Sequence, residues 1–169
     1  MGVTDKLIKI FDDVETGFRH EVDMHAIHRQ YNVKGKKILI KLVDENNNTL
    51  KQIGVINKHG KTERLTGLNN QNADIISWSR PGILLAAIKG KIKRVDGNYY
   101  EYDLKDAILK REIEFKSKGP IGGDVKKVID AWEKYADKIA IVLIRRGIYE
   151  FADFGDKVIG RLREKGYIT

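Results

Sequence analysis

The chain opens with apolar residues at three- and four-residue steps: Leu7, Phe11, Val14, Phe18 and Val22. That stripe predicts a helix over residues 4–28, with Thr4 as its N-cap. The period then falls to two. In 37–43 Ile38, Ile40 and Leu42 point one way, and Lys37, Lys41 and Val43 the other, as in a strand. A polar turn, Asp44 to Asn48, leads to a second strand over 50–57. A loop at 58–61 and a third strand over 63–68 follow, then a turn at 69–72 and a fourth strand over 74–78. Strands spaced in this way predict an antiparallel meander.

A second helix starts at Arg80-Pro81-Gly82, where Ser79 offers a cap and proline suits the first turn. It is short and almost wholly apolar (Ile83, Leu84, Leu85, Ala86, Ala87, Ile88), so it predicts a buried element closed by Gly90. Asp96-Gly97 between two short alternating runs is a hairpin signal. Residues 104–109 read as a further short helix. Residues 110–116 read as a strand, with Ile113 and Phe115 inward and Glu112 and Glu114 outward. A helix over 124–136 carries Val125, Val128, Ile129 and Trp132 on one face. The β-branched run Ile139–Ile144 reads as a last strand, and residues 151–165 as a last helix bearing Phe151, Phe154, Val158 and Leu162. The sum is an α+β domain, with a largely antiparallel sheet of five to seven strands packed by helices. The 169 residues suit one domain, and two prolines with no low-complexity stretch mark no linker.

Composition narrows the chemistry. There is no cysteine, which excludes disulfides, thiolate metal sites and cysteine nucleophiles. No apolar run approaches the roughly 20 residues of a bilayer span. The start, with acids among its first residues, lacks the pattern of a secretion signal. A soluble cytoplasmic protein is expected. Lys, Glu and Ile richness also fits a heat-adapted one. The net charge of +8 is spread as +2 over residues 1–60, +4 over 61–120 and +2 over 121–169, so there is no basic tail.

Four features invite a chemical reading. Glu21, His25 and His28, with His20 beside them, have a spacing that suits a divalent metal on a helix. A solvated polar face explains them with less, and no metal or other cofactor is expected. GPIGGD (119–124) before a helix resembles a phosphate cradle, but it lacks the Lys-Ser/Thr ending, and Asp124 would repel an anion. The three serines, Ser77, Ser79 and Ser117, sit in no nucleophile pattern, so no enzyme is expected. The basic clusters Lys34/Lys36/Lys37, Lys89/Lys91/Lys93/Arg94 and Arg145/Arg146, with Tyr99, Tyr100 and Tyr102 near the second, combine charge and aromatics as nucleic-acid binders do. No RNA- or DNA-binding motif accompanies them.

Three stretches carry a family resemblance. The first is Ala73-Asp74 leading through Ser77 and Ser79 into Leu84-Leu85-Ala86-Ala87-Ile88-Lys89-Gly90-Lys91. The second is Asp106-Ala107-Ile108 before Arg111–Lys116. The third is Gly119–Gly123 running into Val125–Trp132. Over residues 5–136 the chain resembles the sterol carrier protein type-two family. It departs from the family in three places: Leu109-Lys110-Arg111 replaces a second Gly-Lys, 91–103 is an insertion, and 137–169 is an added strand and helix. The resemblance implies an apolar tunnel between sheet and helices that holds a lipid or acyl chain. It implies that Leu84, Leu85, Ile88, Ala107, Ile108, Phe115, Val125 and Val128 line that tunnel. The reading is therefore non-enzymatic carriage of an apolar molecule, with peripheral contact to an anionic membrane through rim cations. The alternatives are nucleic-acid binding, and a structural subunit that forms a homodimer by edge pairing of Ile139–Ile144.

Overall fold

The computed structural model describes residues 2–21, 29, 34–118 and 125–169, with 13–21 and 125–128 described by backbone only. Helix α1 (Val3–Glu21) leads to strands β1 (Lys37–Val43), β2 (Thr49–Lys58), β3 (Lys61–Arg64) and β4 (Ile75–Ser79). Helix α2 (Pro81–Lys89) runs into the hairpin β5 (Lys91–Lys93) and β6 (Tyr99–Glu101). Helix α3 (Leu104–Leu109), strand β7 (Ile113–Ser117), helix α4 (Val125–Arg145), a 3-10 turn (Phe151–Asp153) and helix α5 (Asp156–Glu164) complete the chain. The class is α+β, with a five-stranded, mostly antiparallel sheet in the order β3-β2-β1-β4-β7 and a separate two-stranded ribbon.

The meander holds only as far as β3. Strand β4 lies against β1, in parallel, with Ile38 beside Ile75 and Leu42 beside Ser79. The chain reaches that position because residues 65–74 leave β3 at one edge and cross one face of the sheet. Leu65, Leu68 and Ala73 of this crossing pack on Leu39, Ile76 and Trp78. The third strand accordingly stops at Arg64, and the run to Leu68 is loop.

Alternation along β1 sorts two cores. Ile38, Ile40 and Leu42 face the helices, and Leu39 faces the crossing loop. The helix side is the larger. Leu7, Ile10 and Phe11 of α1 join it with α2, α3, α4 and α5. Arg64 at the sheet edge pairs with Asp12 of α1.

The run Ile139–Ile144 is helix, not strand. It forms the last two turns of α4, which is 21 residues long. Ile139, Ala140, Ile141, Val142 and Leu143 are all buried, because the helix is enclosed on every side there. Gly147, at φ +71°, ends it: its N–H donates to the Ile144 carbonyl and the Ile148 N–H to that of Leu143. These two bonds are the Schellman stop. Edge pairing by a strand at 139–144 therefore does not occur.

Helix ends differ in detail from the pattern. Helix α1 begins one residue before Thr4, with the Lys6 N–H donating to the Gly2 carbonyl, so Thr4 lies inside it. At α2 the N-cap is Arg80, with no side-chain bond, while Ser79 is buried in β4. The last helix is divided, since a 3-10 turn at 151–153 precedes α5.

Candidate functional site

Helix α2 follows β4 directly, so its position is set by the parallel pair at the middle of the sheet. Its apolar sequence leaves no polar face, and it is packed among α1, α3 and α4. Gly90 closes it in the left-handed conformation at φ +74°, with its N–H shared by the Ala86 and Ala87 carbonyls. Helix α3 is started by a reciprocal capping box. The Asp103 carboxylate accepts from the Asp106 N–H, and the Asp106 carboxylate from the Asp103 N–H.

Of the eight lining positions named from sequence, Leu84, Ile88, Ala107 and Ile108 are buried in the helix-side core. Leu85 and Phe115 are partly buried and pack on the same core. Phe115 meets Trp132 of α4, with ring centroids 6.4 Å apart. Val125 and Val128 are on the first turns of α4, where the backbone alone is described. The six described side chains thus belong to one apolar layer between the sheet and α2, α3 and α4. Ser77 and Ser79, both buried, stand on the same side of the sheet: Ser77 is beside Ile40 and Phe115, Ser79 beside Leu42 and Ile113.

A polar cleft lies elsewhere on the fold. It has a volume of about 550 Å³ and opens at the carboxyl ends of β1 and β4, lined among others by Asp44, Trp78, Arg80, Arg111, Glu112 and Glu114. The Trp78 indole N–H donates to the Glu114 carboxylate at 2.7 Å. Asp44 accepts from the Asn46 and Asn48 N–H groups, and the Asn48 bond foremost holds its pKa below the usual carboxylate value. The cleft holds both signs of charge and none of the eight lining positions. Its walls come from 43–47, 78–80 and 111–114, which share no local motif.

Tyr102 is the buried polar group with the poorest surroundings. It is 1% exposed, and its hydroxyl has no hydrogen-bond partner, alone in this among the buried side-chain polar atoms of the described residues. Burial first, and the pull of the nearby Glu112 carboxylate on the hydroxyl proton second, push its pKa upward, although the two groups fall short of a well-formed hydrogen bond. Arg94 and Lys110 lie against its ring at 5.3 and 5.4 Å.

His25, His28 and the GPIGGD stretch lie outside the described residues, and His20 is described by backbone only. Among the described residues no three His, Asp or Glu side chains gather as a metal site, and no helix is long and apolar enough to cross a membrane.

No family model matches the sequence, and no curated protein matches it. Solved structures do. The UbiJ-SCP2 ubiquinone synthesis protein matches at a TM-score of 0.46 and 13% identity, over 79% of this chain and 97% of its own. The apo form of sterol carrier protein 2 from Yarrowia lipolytica matches at 0.46 and 14%, over 77% and 88%. A further sterol carrier protein 2 matches at 0.44 and 12%, over 75% and 92%. Over about three quarters of its length, the chain is similar to sterol carrier protein 2 structures.

Proposed function

We propose that the protein binds or carries an apolar ligand, a lipid or acyl chain, in the layer between the sheet and helices α2, α3 and α4. One observation carries this reading: the layer is continuous and apolar, yet Leu85 and Phe115 at its margin stay only partly buried beside buried Leu84, Ile88, Ala107 and Ile108. Val125 and Val128 belong to the same proposal by their place on α4. Ser77 and Ser79 supply the few polar groups that such sites use to orient a ligand. The energetics ask only for area, since each buried CH₂ of an alkyl chain contributes ~0.8 kcal/mol. The role is one of holding, without chemistry, and a cytoplasmic setting belongs with it.

Native mass spectrometry of the purified protein tests the reading. A co-purifying mass in the lipid range, removed by solvent extraction and restored by added fatty acid, is expected. Leu85→Trp should fill the margin of the layer and abolish uptake, with an unchanged melting temperature. An apo mass that stays unshifted in mixed lipids would sink the proposal.

A further inference from the structure

Residues 91–103 carry the β5–β6 ribbon, and its two halves differ sharply. The base is pinned. The Gly155 N–H donates to the Lys89 carbonyl at 2.8 Å, the Tyr102 N–H to the Gly90 carbonyl at 2.9 Å, and Lys91 Nζ to the Ala152 carbonyl at 3.0 Å. The Asp156 N–H donates to the Glu101 carboxylate at 2.8 Å. The tip is bare. Residues 93–101 are all exposed, and Val95 stands fully in solvent at 108%. Tyr99 and Tyr100 are exposed with it.

We infer that this hairpin is a membrane-docking finger whose occupant is an anionic lipid surface. Charge points there first. The acids of the ribbon are already engaged, Asp96 by the Asn98 N–H and the Tyr100 hydroxyl, and Glu101 by the start of α5. The cations are less engaged: Lys91 has only the Ala152 carbonyl, and Lys93 and Arg94 have no side-chain hydrogen bond among the described residues. Among the described residues, Lys91, Lys93 and Arg94 form no ion pair and rest on aromatic rings, Lys91 and Lys93 over Tyr99 at 4.7 and 5.8 Å. Shape points there second. A two-stranded ribbon is marginal by itself, so a pinned base is what allows a bare tip to persist. An aliphatic tip backed by tyrosines and cations suits the boundary between headgroups and acyl chains, where tyrosine collects and anionic lipid attracts Lys and Arg.

Single-stranded nucleic acid is the poorer match. Lys91 and Lys93 occupy the Tyr99 ring, the Tyr100 hydroxyl is tied to Asp96, and Val95 offers nothing to a base. The finger deepens the carriage reading and rests on it for its purpose. It continues directly from α2, which bears Leu84, Leu85 and Ile88, so docking would bring that helix to the source of ligand.

The test is sedimentation of the full chain with phosphatidylcholine vesicles, with and without phosphatidylserine. Binding should require phosphatidylserine and weaken with salt. Val95→Asp, and separately Lys93→Ala with Arg94→Ala, should each reduce it about tenfold at an unchanged melting temperature, because a charge resists entry and each cation adds to the attraction. Val95→Trp should be quenched by brominated acyl chains. Equal sedimentation of the wild type and Val95→Asp would overturn the inference, as would vesicle binding indifferent to phosphatidylserine. Binding of a single-stranded oligonucleotide through these residues, with no vesicle binding, would overturn it in favour of nucleic acid. Native mass spectrometry stays separate. Lipid uptake without vesicle binding ends the finger and keeps the carrier, and vesicle binding without uptake does the reverse.

Discussion

The two faces of the sheet are covered by different means. One is roofed by helices α1 to α5, whose side chains merge with those of the strands into the larger core. The other carries one small cluster, Leu39, Leu68, Ala73 and Ile76, under the loop that takes the chain from β3 to β4. Depth of burial does not separate them: Leu42 on the first face is 0% exposed and Leu39 on the second 1%. What differs is the stiffness of the cover. A helix layer cannot collapse into a void without moving many neighbours, whereas a loop can settle by itself.

That difference is open to breaking. Leu42→Ala and Leu39→Ala lose the same atoms from equally buried sites on one strand. Denaturant unfolding should show about 4 kcal/mol lost for Leu42→Ala and about 2.5 kcal/mol for Leu39→Ala, since the cost grows with the cavity that remains. Equal losses would mean that the loop is as rigid a cover as the helices.

The helical roof has its own fastener. Asp137 of α4 is 1% exposed and takes Arg161 at 3.1 Å and Lys165 at 2.8 Å, both near the end of α5. Burial works against the Arg161 charge, but the hydrogen bond and charge of Asp137 outweigh it and raise the Arg161 pKa. Asp137→Ala should cost about 3 kcal/mol, the low end for breaking a buried pair, because both cations left behind reach water. Thermal melts of the single variant and of the Asp137→Ala, Arg161→Ala double variant should give a smaller cost for adding the second change than for Arg161→Ala alone.

Smaller effects sharpen the picture where the roof meets the hairpin. A Cβ at Gly155 would fall far inside contact distance of the Gly90 carbonyl oxygen. Gly155→Ala should therefore cost about 2 kcal/mol by overpacking, read as a lowered urea midpoint. Tyr102→Phe removes a hydroxyl that is buried without a partner. It should leave stability unchanged or raise it by about 1 kcal/mol, seen as a higher melting temperature. A marked loss would show that the hydroxyl finds a partner in solution.

Local signals were legible where they decide the structure alone. Pro81 and Gly90 bracket α2, Asp96-Gly97 makes the β5–β6 turn, and the alternation of Ile113 and Phe115 holds in β7. Pairing was not, because period-two alternation reads the same for parallel and antiparallel neighbours, so β4 was expected beyond β3 rather than against β1. The run Ile139–Ile144 misled for a related reason: a fully enclosed segment has no polar face to show its period. The stop signal was present all the same, in Arg145-Arg146-Gly147 after an unbroken helical stretch. At the candidate site the apolar runs of α2 and α3 mark Leu84, Ile88, Ala107 and Ile108 as inward, and these four are buried. Inwardness alone does not separate the margin at Leu85 and Phe115 from the filled interior at Leu84 and Ala107. The polar cleft gave no sequence signal, since three distant segments meet only in the fold.

The hydrogen bonds from Lys91 and Asp156 join two segments that the sequence separates by some fifty residues, the ribbon and the C-terminal turn and helix. Neither is complete without the other: the ribbon lacks a third strand, and α5 lacks a side-chain cap of its own and borrows Glu101. The two should therefore behave as one cooperative unit in hydrogen exchange, opening together at a lower free energy than the five-stranded sheet.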